Sequence, residues 1–321
     1  MKNILITGGG GYIGTNLTKE LLKEGYNITV LDTFWFGNYL KKNKKLKILK
    51  KDIRDVVEKD LKNIDCIMHL ASIANDPAAE LDAKLTWDVN VLATYKLIDL
   101  AITKKVKKFI FASSGSVYGI KKEKKVTEDL SLEPISEYNK SKMIGERILL
   151  SYKKKIDLTI LRPATVCGFS PAMRLDVAIN ALTFGALQSN LITVFGGKQI
   201  RPNLTMYDMI KAYKFSLKRN LVKNRSIKKT IFNLGFENLT ILNMAKRIKK
   251  TLGENSKILI KSSNDPRSYR QNSDRIIREG FKPEKKIEDA INEIRENFLK
   301  KKIIKKDNYF RINTLKMIRA K

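Results

Sequence analysis

The chain has 321 residues, 43% hydrophobic and 30% charged, with 64 Lys and Arg against 33 Asp and Glu for a formal net charge of +31. That length accommodates a full nucleotide-binding sheet plus a smaller lobe, and the lack of any apolar run of 18 or more residues argues against a membrane span. One histidine, His69, and two distant cysteines, Cys66 and Cys167, speak against a His-based metal site, a Ser-His-Asp triad or a disulfide framework, and fit reduced thiols in the cytoplasm. The basic excess is spread over lysine runs at 41–51, 121–125, 153–155 and 300–306 without interleaved aromatics, so it reads as compositional bias rather than a nucleic-acid footprint.

The first element is the apolar run NILIT at 3–7, which reads as a buried strand. It enters Gly8-Gly9-Gly10-Gly11-Tyr12-Ile13-Gly14, then a stretch whose Leu17, Leu21 and Leu22 share a helical face. Strand, glycine-rich turn and helix in that order form a dinucleotide-binding unit, because glycines let the backbone approach a pyrophosphate seated on the helix N-terminus. Two spacings overlap: Gly9, Gly11 and Gly14 satisfy G-x-G-x-x-G, and Gly8, Gly11 and Gly14 satisfy G-x-x-G-x-x-G. A second strand, NITVLD, ends at Asp32, eighteen residues beyond Gly14. A carboxylate there binds adenosine ribose hydroxyls and repels a 2′-phosphate, so NAD is expected over NADP, a preference tempered by Lys41, Lys42, Lys44 and Lys45. The immediate entry into strand and glycine loop leaves no room for a signal peptide.

Further apolar runs at 46–49, 64–71, 106–112 and 156–161 alternate with helical patterns near 13–24, 85–104 and 138–153. The expected class is therefore α/β, a doubly wound parallel sheet over residues 1–162 with strands or helices returning from later segments. His69, inside the apolar CIMHLA, reads as a packed strand residue. After Arg162-Pro163, loops rich in Gly, Pro and Asn (CGFSP, FGGKQIRPN, NDPRSY) separate helices near 175–189, 207–219 and 240–252. Ile287, Ile291, Ile294 and Phe298 mark a docking helix over 284–299. This predicts a smaller C-terminal lobe, 163–300, over the sheet's C-terminal edge with a substrate cleft between the two. For the basic tail 301–321 the sequence leaves open a further helix, an oligomer contact or a frayed end.

Ser113, Ser114 and Ser116 close the strand FIFASSGSVYG at its C-terminal end, where open α/β sheets bind ligands. Tyr138 and Lys142 follow in EYNKSK, four apart and so on one helix face. A nearby cation favours a phenolate and lowers a tyrosine pKa, which makes Tyr138 a base for a sugar or alcohol hydroxyl near neutral pH.

With TGGGGYIG (7–14), Asp32, Asp52-Ile53, HLA (69–71), Asn90-Val91, SSGSVYG (113–119), YNKSK (138–142), LRPATVCG (161–168), RPN from 201 and DPRSYR (265–270) in order, the sequence resembles the extended short-chain dehydrogenase/reductase family. The branch it resembles is the NAD-dependent nucleotide-sugar epimerase/dehydratase group, which includes UDP-glucose 4-epimerase. The resemblance implies a Rossmann domain holding NAD through Gly8, Gly11, Tyr12, Ile13, Gly14 and Asp32. It places Asp52 and Ile53 at adenine, and Leu70, Ala71, Ser72, Asn90 and Ser113 along the cofactor path. Tyr138 is then the base, Lys142 the nicotinamide-ribose ligand, and Pro163 a neighbour of the nicotinamide. Ser114 would hydrogen-bond the reacting sugar oxygen, with Ser116, Thr165, Arg174, Arg201 and Arg267 on the substrate side and the arginines toward its diphosphate.

The same resemblance implies a nucleoside-diphosphate-sugar substrate oxidised at C4 and a homodimer joined by helices 85–104 and 138–153. Family 4,6-dehydratases carry Asp-Glu directly after the catalytic Thr; Gly115-Ser116 stand there in this chain, which disfavours dehydration. An epimerase is expected, with a 4-keto nucleotide-sugar reductase or 4-dehydrogenase as the alternative. A basic nucleic-acid binder reusing the fold is a third reading, against which Ser114, Tyr138 and Lys142 together speak. The segment LRPATVCGFSPAMRLD departs from the galactose-epimerase pattern, and Cys167 within it reads as small-residue packing.

Overall fold

The computed structural model describes residues 1–263 and 268–319. Its strands are β1 (Asn3–Thr7), β2 (Asn27–Asp32), β3 (Leu46–Lys50), β4 (Cys66–His69), β5 (Lys108–Ala112), β6 (Asp157–Pro163), β7 (Thr165–Cys167), β8 (Leu191–Phe195), β9 (Ile200–Thr205), β10 (Ile231–Leu234), β11 (Glu237–Thr240) and β12 (Lys257–Lys261). The first six and β10 form one sheet in the order β10-β6-β5-β4-β1-β2-β3, every pair parallel. β4, β5, β6 and β10 are covered on both faces, which is why they read as near-continuous apolar runs. The edge strand β3, LKILK, is largely exposed and lysine-bearing, a composition that discourages pairing with a further strand.

From β1 the chain winds outward to β2 and β3, then returns to the other side of β1 as β4. The strand order reverses between β1 and β4, so their carboxyl ends open a crevice of the kind that binds ligands in doubly wound sheets. A smaller lobe carries the sheet β11-β9-β7 and the pair β12-β8. Cys167, Ile179, Ile192, Val194, Met244, Ile248 and Ile291 pack its core.

Three features add detail to the linear reading: which later elements return, the form of one helix, and the course of the tail. Strand β10 rejoins the main sheet beside β6, and helix Met206–Lys218 packs on the first helix, Tyr12–Lys23, where Lys214 and Lys218 pair with Glu24. Residues 206–234 therefore lie with the nucleotide-binding layer rather than with the lobe in which their sequence position puts them. The helix expected over 85–104 runs from Ala83 to Thr103 with a π-helical segment at Asp88–Leu92. The tail forms helix Arg311–Arg319 and seats Ile303 and Tyr309 in the main core.

His69 is a packed strand residue: its Nδ1 lies 2.6 Å from Thr7 Oγ1 and its Nε2 2.8 Å from Thr94 Oγ1. Burial, and secondarily the Lys142 charge, push its pKa down to about 3, so the ring is neutral at physiological pH. Among the described residues no group of three or more metal-capable side chains exists, and no helix is long and apolar enough to cross a membrane.

Candidate active site

One cleft of about 540 Å³ gathers the glycine loop, the ends of β2, β4, β5 and β6, and Tyr138 and Lys142. Its floor depends on missing side chains. A Cβ at Gly14 would lie 2.2 Å from the Gly8 carbonyl oxygen, and one at Gly8, whose φ is +71°, would lie 2.6 Å from the Ala71 nitrogen. At Gly11 a Cβ would lie 3.3 Å from the Gly8 carbonyl oxygen, a tight but less severe approach. The first helix has no side-chain cap at Gly11 and no acidic residue in its first turn. Its unpaired amides and positive dipole end are thus offered to an anion entering the cleft. An uncapped helix N-terminus behind a glycine cradle fits the pyrophosphate of NAD.

Asp32 closes one side. Its Oδ2 accepts from the Gly10 amide at 2.9 Å and its Oδ1 from the Phe34 amide at 2.7 Å. Burial raises its pKa, and these two amides oppose the rise. Asp52 and Ile53 line the same end, but the Asp52 carboxylate is already engaged by Arg54 at 2.9–3.0 Å. Leu70, Ala71 and Ser72 line the cleft. Asn90 does not. It is 2% exposed, accepts from the Ile73 amide (2.8 Å), and donates to the Ile73 carbonyl (3.1 Å) and Ser141 Oγ (2.9 Å). Through these bonds Asn90 ties Ile73 to Ser141 on the helix Glu137–Ser151.

Helix Glu137–Ser151 is started by Ser136, whose hydroxyl accepts from the Asn139 amide, and it brings Tyr138 and Lys142 to the end of β5. Lys142 Nζ donates to the Ala112 carbonyl at 2.9 Å and lies 5.0 Å from the Phe111 ring centre and 5.9 Å from that of Tyr138. Burial, opposed by Glu146, pushes its pKa down to about 7. Ser114 shares a 2.7 Å hydrogen bond with Ser116 and also hydrogen-bonds Tyr138. The expected lowering of the Tyr138 pKa by Lys142 is not what the structure shows. Burial raises the phenol, Ser114 and Arg174 oppose that rise, and Asp76 adds to it. Lys142 is drawn back onto Ala112, so the cation that acts on the phenol is Arg174.

Behind this face lies a buried network. Glu146 accepts from Arg162 Nε at 2.9 Å and Nη2 at 2.7 Å and from the Ser113 hydroxyl; Arg162 Nη1 donates to Tyr118 Oη at 2.7 Å. Tyr118 in turn donates to Asn233 on β10.

On the opposite wall stand Pro163, Thr165 and Arg174. Arg174 Nε donates to Asp176 Oδ1 at 2.8 Å, and Asp176 also accepts from Asn75 Nδ2 at 3.0 Å. Arg201 lies on β9, outside the cleft lining, with its Nη1 donating to the Ile200 carbonyl. Arg267 lies outside the described residues. Among the cleft residues that the sequence did not single out as ligands are Phe36, Asp176, Phe310 and Arg311.

Comparison with known proteins agrees with this geometry. Residues 4–235 match the model of the NAD-dependent epimerase/dehydratase family. The chain belongs to that family. A UDP-glucose 4-epimerase of Lactobacillus helveticus is 32% identical over 270 residues, covering 76% of this chain and 81% of that one. A UDP-glucuronic acid 4-epimerase of Bacillus cereus, solved with UDP-glucuronic acid and NAD, is 26% identical with a TM-score of 0.78, over 92% of this chain and 99% of that one. The UDP-glucose 4-epimerase of Thermotoga maritima, 24% identical with a TM-score of 0.84 over 93% and 99% of the two chains, shares the fold. The protein is thus an enzyme of the NAD-dependent epimerase/dehydratase family, and NAD is its cofactor. The nucleic-acid reading has no counterpart among these similarities.

The acidic end of β2 buttresses the glycine loop through the Gly10 amide and lines the cleft. Asp32→Ala is expected to weaken NAD binding about tenfold or more, the scale of losing charge-assisted hydrogen bonds, and to raise NADP affinity relative to NAD. Calorimetric titration of both dinucleotides measures this; an unchanged NAD-to-NADP ratio would count against the assignment.

Proposed function

We propose that the protein is an epimerase-type oxidoreductase of nucleoside-diphosphate sugars that oxidises the sugar C4 hydroxyl, with Tyr138 as base. The observation that carries this reading is the meeting of Ser114, Tyr138 and Lys142 in one cleft with the glycine cradle, while Gly115-Ser116 supply no acid or base beside Ser114. The B. cereus epimerase solved with a UDP-sugar and NAD, and the L. helveticus UDP-glucose 4-epimerase, support the substrate class.

Bound along the cradle, NAD supplies a hydride acceptor. Gly8, Gly11, Tyr12, Ile13 and Gly14 hold its diphosphate; Asp32, Asp52 and Ile53 face its adenosine; Leu70, Ala71, Ser72 and Ser113 line its path. Lys142 and Pro163 sit at the reactive end. Tyr138 Oη takes the proton of the C4 hydroxyl while Ser114 Oγ hydrogen-bonds the same oxygen, and C4 becomes a ketone. Burial raises the Tyr138 pKa even with Arg174 already opposing the rise, so the phenol acts as base only when further positive charge lies beside it. With no acid or base at Gly115-Ser116 to eliminate water, the same phenol returns the proton after the sugar turns its other face. Ser116 and Thr165 line the sugar pocket. Arg174, Arg201 and Arg267 are assigned to the substrate side, Arg174 with the best support because it lines the cleft. A keto-sugar reductase or 4-dehydrogenase would use the same groups.

The enzyme is further proposed to be a cytoplasmic homodimer. Leu92 and Tyr95, 60% and 52% exposed, lie on the helical segment that the family pairs between subunits. Light scattering at twice the chain mass is expected, and a monomer contradicts the pairing. Cell fractionation that places the enzyme outside the soluble cytoplasm contradicts the location. Tyr138→Phe is expected to lose about 10²–10⁴-fold in turnover, the usual contribution of a general base, while retaining NAD. Full activity in that variant would remove Tyr138 from the chemistry.

A further inference from the structure

The C-terminal segment spans the mouth of the cofactor cleft and touches three of its sides. Asn308 Nδ2 donates to the Phe36 carbonyl and to Tyr39 Oη, both at 3.0 Å, on the loop after β2. The Leu175 amide donates to the Tyr309 carbonyl at 3.0 Å, and the Arg311 amide to Asp176 Oδ2 at 3.2 Å, on the lobe side. At the far end Arg319 donates to the Leu81 carbonyl and lies 3.5 Å from Asp82. Phe310, Arg311, Ile312 and Leu315 thereby line the same cleft as the glycine loop and Tyr138.

Arg311 is 4% exposed, with its guanidinium 3.7 Å from the centre of the Phe36 ring. Its side chain makes one hydrogen bond, from Nη1 to the Asn308 carbonyl at 3.1 Å, and among the described residues it has no ion pair. The carboxylates near it are occupied: Asp32 by the Gly10 and Phe34 amides, Asp176 by Arg174 and Asn75. Burial, reinforced by Arg174, pushes the Arg311 pKa down to about 9 while Asp176, Asp32 and Tyr12 pull it up. Arg311 lines the cleft together with Gly8, Gly11, Tyr12 and Asp32. A buried guanidinium without a carboxylate is costly, and a planar donor fork stacked on an aromatic ring suits a phosphate oxygen.

We propose that Arg311 is a cofactor-binding residue whose guanidinium binds a diphosphate oxygen of NAD, so that the segment 307–319 folds down as a strap over the bound dinucleotide. The proposal rests on NAD occupying the glycine cradle. The strap adds a guanidinium to the cations Lys51 and Lys142 that already line the cleft, and cofactor release then requires the segment to lift.

Titrations of NAD, NADP, ADP-ribose, adenosine and UDP onto wild type, Arg311→Gln and Arg311→Lys test this. Arg311→Gln is expected to weaken NAD and ADP-ribose tenfold or more and to leave adenosine and UDP unchanged, with Arg311→Lys recovering part of the loss. Unchanged NAD affinity, a loss confined to UDP, or a wild-type preference for NADP abolished by Arg311→Gln would each overturn it. A wild-type measurement guards against a variant that merely loosens the tail. NAD, but not adenosine, should slow tryptic cleavage at Lys305, Lys306 and Lys316; equal cleavage with and without NAD overturns the strap. Failure of NAD to bind wild type at all would instead mark failure of the cofactor-site reading.

Discussion

The contact between Gly14 and the Gly8 carbonyl sets the positions of everything around the cleft. With no side chain there, the first helix begins directly against the end of β1, and its uncapped N-terminus faces the crevice where the strand order reverses. Gly8, in the left-handed region, lets the same turn pass beneath Ala71 at the end of β4. A methyl group at either position meets backbone rather than a movable side chain, so the neighbours could not yield without separating β1, β4 and the helix. Asp32 then ties the loop to β2 through the Gly10 amide.

The reactive end is held by a different device. Glu146 lies one helical turn beyond Lys142, hydrogen-bonds Ser113 beside Ser114, and pairs bidentately with Arg162 next to Pro163. A buried ion pair is weak evidence for stability, but removing one partner costs about 3–5 kcal/mol because the other charge is stranded. Here the pair pins β5, the catalytic helix and β6 in one register, and through Tyr118 and Asn233 it reaches β10. The strand that rejoins the sheet late in the chain thus supports chemistry built from the early strands. Asn90 performs the matching task at the 71–75 loop.

Much of this was legible in the sequence because it depends on local rules. The strand-glycine-helix order, Asp32 at a strand end, and the serines after β5 are readable from short windows, and each lines the cleft. Tyr138 and Lys142 share a helix face as their spacing requires, yet their electrostatics were not legible. Whether a cation sits beside a phenol depends on where Lys142 finds an acceptor, and it finds the Ala112 carbonyl. Asn90, expected along the cofactor path, is bonded to Ile73 and Ser141, contacts that linear spacing does not encode. The return of 206–234 to the first layer and the folding of 307–319 across the cleft arise from long-range packing, and no spacing rule encodes them. Arg311, the buried cation of the strap, sits in a stretch whose composition reads only as a basic tail.

The high positive charge takes a modest place in this picture. It favours the approach of anionic nucleotides, while the chemistry depends on a few buried groups at the ends of β2, β5 and β6. The proposed oxidation at C4 occurs inside the cofactor cleft and is reversed there. Turnover of nucleoside-diphosphate hexoses carrying deuterium at C4, drawn from UDP-, GDP-, CDP- and dTDP-sugars, tests it most directly by NMR of the product. A primary isotope effect with deuterium retained at C4 of the epimerised sugar is the predicted result; loss of that deuterium to solvent would contradict it.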